Sequence, residues 1–170
     1  MSAVDEVVYL LEEAFSGSGI SETNESQSLL VNLRSIDEPL WHAHPTGGGR
    51  TVESIALHVG GCKVMYVEYA FGPAKLQWDD PLVQPWEVGE APMNETIAWL
   101  QGAHRTLIDH VRGLGDADLE KPRLANWGQE MPTRWLLSML LQHDTYHAGE
   151  VNHLRSLLQG NDAWRWADAD

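Results

Sequence analysis

Hydrophobic residues recur along this chain at the three- and four-residue spacing of amphipathic helices, without the sustained two-residue alternation of a half-buried strand. The pattern predicts helices over residues 4–15, 23–36, 51–71, 94–114 and 132–159. Serine and glycine at residues 16–19 separate the first two, which could be parts of one interrupted helix. The sequence therefore predicts an all-α protein, built as a helical bundle.

Particular residues mark the ends of these helices. Thr51 follows a loop with three consecutive glycines and is suited to cap the helix that begins there. Pro132 lies where the first turn of the last helix tolerates proline, and Gly160 follows its last turn. Residues 72–93 are rich in proline, so we expect a long irregular loop between two helices.

Composition limits the class of protein and its partners. A length of 170 residues suits a single domain, which we assign to residues 1–170. The net charge of −14 repels nucleic acid and anionic membrane surfaces, so we expect a small-molecule substrate instead. With Cys62 as its only cysteine, and without a segment typical of export or membrane insertion, the chain is expected to be soluble and cytoplasmic.

Two histidines lie among the aliphatic residues of the last predicted helix. His143 and His147 continue the stripe formed by Leu136, Leu140 and Val151. Four residues of helix advance by about 400°, so the two imidazoles lie about 40° apart and one turn above each other. Two ligands of one metal ion need this arrangement, although a buried histidine can also be a hydrogen-bonded core residue.

A third histidine and its neighbours could complete the site. His58, on a different predicted helix, could be the third ligand. Cys62 lies one turn beyond His58 and could be a fourth ligand, a reactive thiol or a small core residue. His104 also lies on the apolar stripe of its helix, either as a core residue or as part of the site.

Two carboxylates are candidate catalytic groups. The sequence HDTYH resembles HExxH, in which a glutamate acts as general base on metal-bound water, and Asp144 occupies the place of that glutamate with a shorter side chain. Glu150, one turn beyond His147, could orient a ligand ring or act as a base. A solvated helix surface is the alternative for Glu150.

The chain resembles the DinB/YfiT-like family of metal-binding four-helix bundle proteins. The resemblance rests on the loop around Trp41, the segment ESIALHVGG, the loop around Trp127, and LLQHDTYHAGEVNHLRSLL. It implies a four-helix bundle with long inter-helix loops, assembled as a homodimer. It also implies that His58, His143 and His147 bind a divalent metal ion, zinc or nickel.

Characterised members of that family use low-molecular-weight thiols, as in mycothiol-dependent maleylpyruvate isomerase and the bacillithiol or mycothiol S-transferases. We therefore expect a metal-dependent enzyme that activates such a thiol for S-transfer or isomerisation. A hydrolase that uses metal-bound water and a non-catalytic metal- or ligand-binding stress protein stay open as alternatives. Trp78 and Trp86 could wall a pocket, and Arg50 or Lys63 could bind carboxylates of a thiol cofactor.

Overall fold

The computed structural model describes residues 1–17 and 28–163, and this part of the chain is mainly helical. Its α-helices are α1 (Ala3–Ser16), α2 (Leu29–Arg34), α3 (Val52–Phe71), α4 (Met93–Arg112) and α5 (Thr133–Gln159). Two 3-10 helices and a short hairpin lie between them, at Glu38–Leu40, Asp116–Glu120, and β1 (Pro122–Leu124) paired antiparallel with β2 (Glu130–Pro132). The prediction of an all-α bundle with long loops is confirmed.

The helix ends follow from the residues that the sequence singles out. The Thr51 side chain accepts a hydrogen bond from the backbone of Ser54, whose hydroxyl oxygen accepts one from the backbone of Thr51. Gly160 ends α5 in the left-handed conformation, with φ of 72°, which glycine adopts without steric penalty. Pro132 immediately precedes the first residue of α5.

The four long helices α1, α3, α4 and α5 pack around a hydrophobic core. α3 packs mainly against α4, while α5 contacts α1, α2 and α3. The core is made of fully buried aliphatic side chains from every helix, among them Leu11, Leu33, Ile55, Leu107 and Leu136. No helix in the described part of the chain is both long and apolar enough to traverse a lipid bilayer.

Two segments differ from the sequence prediction. The predicted helix 23–36 is seen as α2 from Leu29, and its beginning lies outside the described residues. Of the predicted interruption at 16–19, the structure shows that α1 ends at Ser16 and that Gly17 follows it in the left-handed conformation, whereas residues 18 and 19 lie outside the described residues. The segment before α5, predicted as a plain loop, contains the hairpin of β1 and β2. Its strands have three residues each, too few to show an alternating pattern in the sequence.

A buried carboxylate fixes the long loop between α3 and α4. Glu53, in the first turn of α3, has no exposed surface, and its oxygens accept hydrogen bonds from the backbone of Gly89 at 2.8 and 2.9 Å and of Ala91 at 2.8 Å. The Trp41 indole Nε1 donates to the carbonyl oxygen of Ala91 at 2.9 Å. The irregular loop is therefore tied to the start of the helix that carries His58.

Candidate metal centre

Three histidines from two helices converge on one point. His58 comes from α3, and His143 and His147 come from successive turns of α5. One ring nitrogen from each histidine lies within 4.8 Å of those of the other two, and the Nε2 atoms of His58 and His143 are 3.2 Å apart. Two nitrogens bonded to a tetrahedral zinc at about 2.0–2.1 Å would be about 3.3 Å apart. These three residues could therefore hold a metal ion, and their assignment as ligands stays a prediction.

The protonation of the rings suits metal binding. Burial lowers the pKa of His58 to about 4, and the charge of Arg50 adds to this effect. Burial also lowers the pKa of His143 to about 3. For His147, burial again lowers the pKa, although Glu150 opposes the change. The rings are therefore neutral at pH 7, and a neutral imidazole has the free lone pair that a metal requires.

Glu150 orients one of the rings. The Nδ1–H group of His147 donates to Glu150 Oε2 across 2.6 Å, which leaves Nε2 for a metal ion. Arg50 Nη1 lies 3.5 Å from the same carboxylate oxygen. Of the two roles considered for Glu150, the structure favours orientation of a ligand ring, because both neighbours already engage its carboxylate.

Asp144 does not lie in the place of a general base. Its side chain is buried and accepts a hydrogen bond from the Lys63 ammonium at 2.6 Å, in the core between α3 and α5. Burial raises the pKa of the Asp144 carboxyl, and the Lys63 ammonium opposes that change. This ion pair excludes Lys63 as a residue that could bind a carboxylate of a thiol cofactor, because the Lys63 ammonium points into the protein core.

Cys62 and His104 have different relations to the centre. The Cys62 sulfur lies 3.8 and 3.9 Å from the ring nitrogens of His58, and burial raises the pKa of this thiol to about 11. His104 instead stacks on Phe15, with ring centroids 3.8 Å apart, and burial lowers its pKa to about 2. Cys62 thus lies beside His58, one of the three predicted ligands, whereas His104 packs in the core.

A cavity of ≈ 250 Å³ opens beside His58. We call it the tryptophan cavity; its lining residues come from α3 and the long loop and are Ser54, Leu57, His58, Gly61, Trp78, Gln84, Trp86, Glu87 and Val88. The prediction that Trp78 and Trp86 wall a pocket is therefore confirmed. A larger cavity of ≈ 440 Å³ between α3 and α4 contains none of the three histidines, so it plays no part in this centre.

Two residues that shape the centre could hardly be identified from the sequence alone. Glu53 holds the loop that carries the two tryptophans, yet an acidic residue in the first turn of a helix usually indicates a solvated helix end. Lys63 pairs with a residue 81 positions away, and no local pattern records such a partner. A charged residue within an otherwise apolar helical stripe is the one signal that could have identified Lys63.

Comparison with known protein families agrees with this architecture. The model of the DinB superfamily matches residues 23–151, a segment that contains all three histidines and Glu150. A search of curated proteins finds no significant match.

Proposed function

Because this chain belongs to the DinB superfamily and brings three neutral histidines together, we propose that it is a metal-dependent enzyme. The ion, zinc or nickel, would be held by His58, His143 and His147, and the reaction would be S-transfer from a low-molecular-weight thiol. The observation that carries this proposal is the histidine cluster at the edge of a cavity that can admit a small molecule.

The donor set fits such an ion. Imidazole nitrogens suit zinc and nickel, and three neutral ligands leave the double positive charge of the ion undiminished, with a coordination position free. When bound there, the ion would lower the pKa of a coordinated thiol and so make its sulfur nucleophilic at neutral pH.

The protein's own residues would position the reactants. Glu150 holds the His147 ring, and the tryptophan cavity adjoins His58, where it could hold the second reactant. The reacting sulfur would come from the small-molecule thiol. That sulfur would bond to an electrophilic carbon, the leaving group would depart with its electron pair, and the thiol proton would pass to solvent.

The alternatives are less well supported. A hydrolase of the HExxH type needs a carboxylate free to accept a proton from water, whereas Asp144 is paired with Lys63 and Glu150 is engaged by His147 and Arg50. A purely structural metal site does not require an adjoining cavity. These observations support neither alternative, and the preference for thiol chemistry rests on the resemblance to thiol-dependent members of the family.

Elemental analysis of tag-free protein tests the metal centre. We expect about one equivalent of zinc or nickel per chain in the unmodified protein and almost none in His143→Ala. His153→Ala is the matched control, since His153 is an exposed histidine of the same helix, and it should retain the metal. Absence of uptake after reconstitution with both metals, or full retention in His143→Ala, would contradict the proposal.

Two turnover assays then separate the chemistries. The metal-loaded protein is given 2-mercaptoethanol with 1-chloro-2,4-dinitrobenzene, and separately p-nitrophenyl acetate without a thiol. We expect thiol-dependent turnover that disappears in the metal-free protein and in His143→Ala. Ester hydrolysis alone would support the hydrolase, and inactivity in both assays at full metal loading would support the non-catalytic alternative.

A further inference from the structure

The tryptophan cavity has a shape and charge that indicate what it binds. We propose that it binds the body of the electrophilic substrate, that this body is a small aromatic group, and that without a metal ion the cavity prefers uncharged or cationic rings to anionic ones. The role in the reaction rests on the function proposed above, whereas the binding preference rests on the cavity alone.

The size of the cavity limits its occupant. Its volume is ≈ 250 Å³. An engineered apolar cavity of about 150 Å³ accommodates benzene, and sites for drug-sized ligands start at about 300 Å³. The tryptophan cavity therefore has room for one aromatic ring with a short substituent. A thiol cofactor of several linked groups would have to lie largely outside it.

Aromatic walls suit a flat apolar group. The Trp86 ring packs edge to face on Trp99, with centroids 6.1 Å apart, which holds its orientation. Gly61 lets the loop at Trp78 approach α3 closely, because a Cβ atom there would lie 3.5 Å from Cζ3 of Trp78 and 3.1 Å from the carbonyl oxygen of Val83. Such ring contacts strengthen the binding of an aromatic group beyond the burial of its area.

The charges around the cavity disfavour an anion. Glu87 is the charged residue in its lining, together with the uncharged polar side chains of Ser54 and Gln84. Arg50 and Lys63 are already paired, Arg50 with Glu150 and Lys63 with Asp144. The net charge of −14 adds a long-range field of the same sign. A cationic group can in addition lie over a tryptophan face.

The wall of the cavity is held without the help of a metal ion. Glu53 and Trp41 fix the loop at Gly89 and Ala91, close to the lining residues Glu87 and Val88. These hydrogen bonds involve none of the three histidines. The metal-free protein is therefore expected to retain the cavity. In that form no metal ion can bind the anion, so the charge preference of the cavity itself can be measured.

The test uses benzamide, benzamidinium and benzoate, which share one ring and differ in charge. Each is titrated into metal-free protein at low ionic strength, with dissociation constants from tryptophan fluorescence and the binding site from ¹H–¹⁵N chemical shifts. We expect benzamide and benzamidinium to bind roughly threefold to tenfold more tightly than benzoate, since one nearby charge contributes on the order of 1 kcal/mol. The shifts should be confined to the lining residues.

Matched variants tie the result to the cavity. Trp78→Ala should weaken benzamide binding roughly threefold to tenfold, while Trp135→Ala, at an exposed tryptophan outside the lining, should not. Glu87→Arg should remove or reverse the preference against benzoate. Glu90→Arg makes the same charge change at an exposed position of the same loop outside the lining and should leave most of the preference.

Three outcomes would overturn the proposal: no ring binds at concentrations up to tens of millimolar, benzoate binds as tightly as benzamide, or Trp78→Ala binds like the unmodified protein. The measurement needs neither metal nor turnover. Failure of S-transfer with this preference intact would count against the proposed reaction alone. Loss of the preference in a protein that transfers thiols would count against the cavity proposal alone.

Discussion

Removing one partner of the buried ion pair next to the candidate metal centre should destabilise the protein strongly. Lys63 and Asp144 are 2.6 Å apart, and both side chains are about 1% exposed. Lys63→Met keeps a long apolar side chain in place and leaves the Asp144 carboxylate without its counter-ion. A buried charge that loses its partner costs about 3–5 kcal/mol.

Protonation limits this cost. If the Asp144 carboxyl group takes up a proton instead of staying charged, the cost is that of protonating it at pH 7. For a pKa of about 3.9 in the unfolded chain this is about 4 kcal/mol, at about 1.36 kcal/mol per pH unit. For 170 residues the entropy of unfolding is about 0.36 kcal/mol/K, at about 2.1 cal/mol/K per residue. A loss of 3–4 kcal/mol therefore corresponds to a Tm lower by about 8–11 °C.

The assay is denaturant and thermal unfolding of chelator-treated protein at pH 7, so that metal binding does not enter. Asp144→Leu should also lower the free energy of unfolding, because it leaves the Lys63 ammonium alone in the core. The double variant Lys63→Met/Asp144→Leu should lie within about 1 kcal/mol of the unmodified protein, since an apolar pair often replaces a buried ion pair without loss. Lys75→Met, at an exposed lysine, is the control and should change stability by less than about 0.5 kcal/mol.

Two results would refute this reasoning. A loss below about 1 kcal/mol in Lys63→Met would mean that the Asp144 carboxylate is solvated or finds another partner. A double variant as unstable as the sum of the two single variants would mean that the ion pair contributes no coupling energy.

Three further variants test other parts of the structure. Glu150→Ala should weaken metal binding about 10–100-fold, measured in competition with a chromophoric chelator. Glu150→Gln should weaken it less, because its amide oxygen can still accept the hydrogen bond from the His147 ring. Equal affinities of Glu150→Ala and the unmodified protein would contradict the orienting role. Because burial lowers the pKa of His104 to about 2, from about 6.5 in the unfolded chain, only unfolding lets it take up a proton at pH 5. The stability that the neutral His104 ring contributes is present above pH 6.5 and should fall by about 2 kcal/mol at pH 5. Denaturant titrations at pH 8 and pH 5 should show this loss in the unmodified protein and not in His104→Leu. The same loss in both proteins would refute the role of His104. Gly60→Ala should cost about 1–3 kcal/mol in thermal unfolding, because a Cβ atom there would lie 2.1 Å from Trp99, whereas Gly149→Ala has open space and should be neutral or stabilising by up to about 1 kcal/mol; equal effects would contradict the close contact at Gly60.

The sequence predicts those parts of the molecule that depend on local periodicity. The apolar stripes identify the long helices, and the same stripe on α5 brings His143 and His147 to one face, which the structure confirms. Thr51 and Gly160 mark helix ends because capping depends on neighbouring residues alone.

Contacts between distant segments could not be predicted in this way. Glu53 and Lys63 carry charges that would ordinarily be solvated, and only the assembled core shows them paired with Gly89, Ala91 and Asp144. The convergence of His58 with the α5 histidines likewise required the packing of α3 on α5. The homodimer and the cytoplasmic location stay predictions.

The spacing of the three histidines along the chain determines the stage of folding at which a metal ion can bind all three of them. His143 and His147 are close in sequence, but His58 and His143 are separated by 85 positions. Holding both ends of a loop of that length together in an unfolded chain costs about 4–5 kcal/mol of entropy. The native core supplies this closure, so the third ligand should favour the folded chain over the unfolded one by about three orders of magnitude in affinity.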